Sequence, residues 1–233
     1  MKIHRVEQGT AEWKDVRLGI PTASWFHTII TPLGKRTDNR ERKKYMYRLV
    51  AERLLRQPMP DSFVNSWMER GNDLEDAAAR ALAKKLDVEF SPGGFVTDNK
   101  GLIGCSPDRI IERLGPAMKG AGKPTEAVEI KVPSPWVHLA NLCEGPGDKY
   151  KAQVQGQIMI GEFEAVHFYS WNPNLPEFHK MTLPDDKYIR TMDVLLTEFL
   201  DELATTEDFV RRKGGVIEMT EAALSGHFPW GDP

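Results

Sequence analysis

Apolar and charged residues alternate most clearly between residues 127 and 132, where Glu129 and Lys131 flank Ile130. A strand has period two, so Glu129 and Lys131 share one face. Shorter strand-like runs precede this one at 88–90, 94–96, 102–105 and 109–111, with Gly93-Gly94 and Asp98-Asn99-Lys100-Gly101 as turns. Residues 113–125 read as a flexible turn, and 128–132 then completes a meander. Two further strands are expected at 165–171 and 177–183, with a Pro/Asn turn between them.

Helical spacing fills the remainder. Residues 10–30 predict two short helices broken at Gly19-Ile20-Pro21, with Trp13, Val16 and Arg17 in the first and Trp25, Phe26, Ile29 and Ile30 in the second. Thr22 or Ser24 is the expected cap of the second. Residues 31–42 are polar and basic and read as a mobile loop. A helix over about 41–57 carries Tyr45, Leu49, Leu54 and Leu55 as its apolar stripe, and 58–61 is a break. A long helix over 66–86 turns Trp67, Leu74, Ala78, Leu82 and Leu86 inward, and its Gly71 permits a close approach. Helices at 136–142 and 150–160 follow, the second with Tyr150, Val154 and Ile158 on one face and Gln153 and Gln157 beside it. A long amphipathic helix covers 185–213, and the tail with Phe228-Pro229-Trp230 is expected to pack on something such as a neighbouring subunit. The order of elements predicts an α/β (α+β) fold, a central mixed β-sheet flanked by helices. It forms a single domain over 1–233, with a helical part to about 86, a core over 87–183 and a helix and tail over 184–233.

Composition narrows the class. The 233 residues, 40% hydrophobic and 28% charged, suit one soluble domain with a substantial core. No apolar run reaches the length of a membrane span, and the first residues lack a secretory segment, so a cytoplasmic location is expected. The two cysteines, Cys105 and Cys143, have no metal-ligand spacing, which argues against zinc or an iron–sulfur cluster. A net charge of −3 gives no support to nucleic-acid binding, but residues 35–56 hold nine Lys/Arg against three acids, while the last fifty residues are acidic. That distribution suits a local polyanion contact. The basic side of the 41–57 helix lies either along a DNA backbone or in water.

Asp108, in Ser106-Pro107-Asp108, precedes the apolar Ile110 and Ile111. If it lies on a strand beside Glu129 and Lys131, two carboxylates and an ammonium converge. Such a set suits a hard cation such as Mg²⁺ and metal-assisted phosphodiester hydrolysis. The plainer alternative is a turn beside the wet face of an edge strand. Arg17 and Ser24, near a helix N-terminus, offer a phosphate pocket, or else a surface charge and an N-cap. Glu75 is a third acid for the site, or a solvated helix charge. Gln153 reaches a phosphate or a metal-bound water, or is an amide at the core edge.

Five segments together, Arg17-Leu-Gly-Ile-Pro-Thr-Ala-Ser24, Gly71-Asn-Asp-Leu-Glu75, Cys105-Ser-Pro-Asp108, Glu129-Ile-Lys131 and Tyr150-Lys-Ala-Gln153-Val-Gln155, resemble the lambda exonuclease family. These are phage recombination exonucleases of the viral recombinase type, in the PD-(D/E)XK nuclease superfamily. The resemblance runs from about Val6 to Trp171. It implies a restriction-endonuclease-like core and a Mg²⁺-dependent exonuclease that degrades the 5′-phosphorylated strand of double-stranded DNA to mononucleotides, leaving a 3′ overhang. It further implies two Mg²⁺ ions, with Mn²⁺ as a substitute, held by Asp108, Glu129 and the Ile130 carbonyl. Lys131 would orient or activate water, Glu75 support the metals and Gln153 complete the site. Arg17 and Ser24 would hold the 5′-phosphate, and Lys35 and Arg36 touch DNA. A ring-shaped homotrimer, a single-strand annealing partner and phage or prophage origin in a bacterial host are implied too. The chain departs from the family pattern in a longer 112–126 turn, a shorter link from Lys131 to Tyr150, and Arg109 where a small residue is familiar. A sequence-specific endonuclease of the superfamily and a non-catalytic DNA-binding relative are the alternative readings.

Overall fold

The computed structural model describes residues 1–59, 66–111 and 125–213, with side chains from 66 to 73 excepted. The expected 113–125 turn up to residue 124, part of the 58–61 break, the Trp67 side chain, the surroundings of Gly71, and the Phe228-Pro229-Trp230 tail lie outside what is described.

The strands form two sheets rather than one meander. The small sheet joins β1 (Lys2–His4), β3 (Phe95–Thr97) and β4 (Gly104–Cys105). The larger has five strands in the order β2 (Phe90–Pro92), β5 (Arg109–Ile111), β6 (Glu126–Lys131), β7 (Ala165–Ser170) and β8 (Phe178–Thr182). It is mixed: β6 and β7 are parallel and every other pair is antiparallel. A parallel pair needs a crossover, supplied by α4 (Pro135–Glu144) and α5 (Lys149–Gly161).

Strand β6 is central and covered on both faces, and the period of two sorts its side chains. Val128 and Ile130 pack with Tyr169 and Ile111 against Ala78, Ala79 and Leu82 of α3 (Ser66–Leu86). Ala127, with Val166 and Phe168, packs against Val154 and Ile158 of α5. Glu129 and Lys131 belong by alternation to this second face, the one α5 covers.

A separate core sits beneath the N-terminal part. It joins Phe26, Ile29 and Ile30 with Tyr45 and Leu49 of α2 (Arg40–Leu55) and Met192, Leu196, Phe199 and Leu203 of α6 (Asp186–Arg212). Gly156 lets α5 press onto this cluster, since a Cβ there would lie 2.7 Å from the Phe26 ring and 3.2 Å from Ala23.

Two expectations need correction. The first short helix, α1 (Ala11–Val16), is capped by the Thr10 side chain, but the second is a 3₁₀ helix (Ala23–Thr28) that receives no side-chain cap from Thr22. The polar 31–39 stretch is pinned: Thr31 N–H donates to the Lys35 carbonyl at 2.8 Å and Tyr188 O–H to the Thr31 carbonyl at 3.1 Å. Three of the nine basic residues in 35–56, Arg36, Arg42 and Arg53, pair with acids of α6. Arg42, 3% exposed, grips Glu202 through two hydrogen bonds of 2.6 and 3.1 Å. Arg36 reaches Glu198 and Glu202, and Arg53 reaches Glu207.

Candidate active site

The antiparallel register pairs Arg109 with Val128. Extending it by one residue sets Asp108 opposite Glu129, and Asp108 N–H donates to the Val128 carbonyl at 3.0 Å. The Asp108 carboxylate then accepts from Ile130 N–H at 2.6 Å. On the other side of this segment the Pro107 carbonyl lies against Gly93, where a Cβ would sit 1.8 Å away, so only glycine fits there.

Glu129 is 1% exposed and fully coordinated by donors. Lys131 Nζ donates to Oε1, Gln153 Nε2 to Oε1 at 2.6 Å, and Gln157 Nε2 to Oε2 at 2.5 Å. Gln153 and Gln157 are one helical turn apart on α5 and so face the same strand.

The electrostatics show a shortage of positive charge. Burial first, then the charge of Glu129, raises the Asp108 carboxyl well above the usual carboxylate range, against the opposing pull of Lys131 and the Ile130 N–H. Burial alone would lower the Lys131 pKa, but Glu129 and Asp108 outweigh it and hold the ammonium firmly protonated. One lysine therefore faces two carboxylates. All-oxygen donors and uncompensated negative charge fit a hard divalent cation. Among the described residues, no group of three or more His, Cys, Asp or Glu side chains converges to hold an ion. Asp108 and Glu129 stand as a carboxylate pair.

Glu75 stands close enough to Asp108 for its charge to raise that carboxyl, yet it is engaged elsewhere. Arg109 donates to Glu75 at 2.9 Å, to Asp76 at 2.5 Å and to the Asp108 carbonyl at 2.7 Å. Ile130 meets Asp108 through its amide N–H, its side chain being in the core on the α3 side.

Arg17 and Ser24 lie on the N-terminal layer, which a bridge between Thr22 and Gly104 ties to β4. Arg17 stacks over Trp13, 3.7 Å from the ring centroid, and Trp13 Nε1 donates to Ser106 Oγ at 3.1 Å, two residues before Asp108. Arg17, Trp13, Lys14, Thr22, Trp25 and Arg48 help line a cavity of about 510 Å³. Ser24 is exposed, its hydroxyl 3.3 Å from that of Thr22. Tyr45 accepts from Thr22 N–H at 2.8 Å, and burial pushes its phenol up to about 12. Lys35 and Arg36 are exposed beside α6, not beside the carboxylate pair, and Arg36 is already paired there.

Three participants carried no assigned role in the sequence reading. Gln157 had a legible signal, its four-residue spacing from Gln153. Glu52 had none: it is 7% exposed and accepts from Gly19 N–H at 3.1 Å and Arg48 Nε at 3.1 Å, bracing the cavity. The link from Trp13 to Ser106 joins residues too distant in sequence to foresee.

Residues 12–164 match the family described as the YqaJ-like viral recombinase domain. Among solved structures, the chain is similar to an alkaline exonuclease, LHK-Exo, from Laribacter hongkongensis, with 26% identity over 88% of this chain and 98% of that one and a TM-score of 0.76. The same holds for LHK-Exo in complex with dAMP. A phage related exonuclease from Haemophilus somnus 129PT, at 14% identity, 80% and 96% coverage and a TM-score of 0.56, shares the fold. No curated protein sequence matches the chain.

Proposed function

The chain belongs to the YqaJ-like viral recombinase family, and from that premise we propose that it is a Mg²⁺-dependent 5′-to-3′ exonuclease of double-stranded DNA. It degrades the 5′-phosphorylated strand to mononucleotides and leaves a 3′ single strand for annealing-based recombination. The observation that carries this reading is the meeting of Asp108, Glu129 and Lys131 at one end of β6, which the Trp13–Ser106 hydrogen bond links to a cavity walled by Trp13, Arg17 and Arg48. The likeness to LHK-Exo, an alkaline exonuclease described in complex with a mononucleotide, supports the product.

The residues divide the work. Asp108, Glu129 and the Ile130 carbonyl would hold two Mg²⁺ ions, for which Mn²⁺ would substitute. When bound, such ions acidify water and offset charge on the leaving oxygen. Lys131 orients the attacking water and faces the phosphate, its ammonium kept charged by the two carboxylates. Gln153, half-buried at the mouth of the site, hydrogen-bonds the scissile phosphate or a water. Glu75 supports the inner site once Arg109 releases it. Arg17 and Ser24 hold the terminal 5′-phosphate, and fraying the duplex end to bring it there costs a few kcal/mol, roughly as in base unstacking. Lys35 and, by exchanging its α6 partners, Arg36 contact the DNA backbone. A homotrimer encircling DNA and a single-strand annealing protein are the proposed partners, in the cytoplasm of a bacterial host carrying a phage or prophage. No helix among the described residues is long and apolar enough to cross a membrane.

The test is digestion of linear duplex with 5′-phosphorylated and 5′-hydroxyl ends, with and without Mg²⁺, beside sealed plasmid. Release of mononucleotides from phosphorylated ends only with Mg²⁺, and an intact plasmid, is expected. A cut plasmid would favour a sequence-specific endonuclease, and no release at all a non-catalytic DNA-binding relative.

A further inference from the structure

We propose that Gln157 is a positioning residue of this site: it fixes the Glu129 carboxylate from its buried side and thereby sets the affinity for the divalent cation. The inference rests on the reading of Asp108 and Glu129 as metal ligands.

Glu129 is held at both oxygens by different groups. Oε1 receives Lys131 and Gln153, while for Oε2 the partner is Gln157 Nε2 at 2.5 Å. Gln153 is half-buried and so open in part to solvent. Gln157 is 1% exposed, as is Glu129, so water does not compete for this bond. Its neighbours on α5 are the buried Val154, Ile158 and Ile160.

A glutamine in such surroundings is an expensive choice. Among the described residues only its donor half is used: Oε1 is buried and has no hydrogen-bond partner there. An apolar side chain of similar volume would fill the space without an orphaned acceptor. What the amide adds is the N–H aimed at Glu129. Its orientation is also fixed, since the opposite flip would set an amide oxygen against a carboxylate oxygen. Without that donor the carboxylate is held from Oε1 alone, by Lys131 and Gln153, and Oε2 is no longer fixed relative to Asp108. Hydrogen bonds to a ligand from behind commonly change metal affinity by about 10–100-fold.

The experiment compares the full chain with Gln157→Met, a near-isosteric change, and Gln157→Leu as a second variant. Mn²⁺ affinity is measured by calorimetry, and the Mn²⁺ concentration for half-maximal DNA cleavage is measured alongside. The expected result is a Mn²⁺ dissociation constant raised about tenfold or more, with cleavage recovering at saturating Mn²⁺. Recovery by metal is a signature that a packing role alone would not produce. A dissociation constant within about twofold of wild type in a folded variant overturns the proposal. So does failure of both variants to fold, which would assign Gln157 to packing. If the wild-type chain binds no Mn²⁺, the metal-ligand reading itself falls, and this inference with it.

Discussion

Lys131 donates its ammonium to the carboxylate of Glu129, its neighbour but one on the same strand and the same face. This contact commits the ammonium to one of two carboxylates, while burial first, and then the charge of Glu129, raises the pKa of the Asp108 carboxyl.

Replacing that lysine removes the group assigned to the attacking water. Lys131→Ala should lower the cleavage rate by about 10²–10⁴-fold while binding of duplex ends, measured by fluorescence anisotropy, changes little. Normal digestion by this variant would remove Lys131 from the mechanism.

The raised Asp108 pKa carries a pH signature. A carboxyl whose folded pKa lies above its unfolded value binds protons more tightly when folded, so its contribution to stability is present at low pH and lost as pH rises through the folded value. Asp108→Asn should therefore raise the melting temperature of metal-free protein at neutral and alkaline pH. The difference should vanish below about pH 4, the unfolded carboxyl range. Divalent cations should stabilise wild type and not the variant. Thermal melts across pH, with and without Mg²⁺, check all three statements.

Arg109 occupies Glu75 and Asp76 together. Arg109→Ala removes a positive charge beside the carboxylate pair and frees Glu75. Mn²⁺ binding should tighten by roughly threefold or more, at a stability cost of about 1 kcal/mol for these partly exposed pairs. Calorimetry and denaturant melts report the two effects separately.

Arg17 is placed by Trp13, and Trp13 by Ser106. Arg17→Ala should narrow the rate advantage of 5′-phosphorylated over 5′-hydroxyl ends by about tenfold or more, the worth of one charge-assisted hydrogen bond. An unchanged ratio on matched substrates would locate the phosphate elsewhere.

The sequence made the central strand legible because alternation fixes which residues share a face: Glu129 and Lys131 on one side, Val128 and Ile130 on the other. Strand neighbours were less legible. A two-residue strand such as Gly104–Cys105 carries no alternation, and pairing it with Phe95–Thr97 in a separate sheet depends on contacts local pattern does not record. The short strand Lys2–His4 gave no signal, since it is exposed or half-buried throughout. The partners of the basic residues around α2 were not legible for a related reason. Nine basic residues in 35–56 suit a contact with a polyanion, and the pairing of Arg42 with Glu202, 160 residues away, lies outside any local charge count. Strand and helix periodicity and the family resemblance singled out Asp108, Glu129, Lys131 and Gln153, which the fold brings together. Arg109's hold on Glu75 was not legible, because spacing gives proximity and not the choice of partner.

The most direct test is a crystal of the full chain soaked in Mn²⁺ and measured at the manganese absorption edge. The account predicts anomalous density at bonding distance from carboxylate oxygens of both Asp108 and Glu129. A well-ordered site with no manganese near either residue would contradict it.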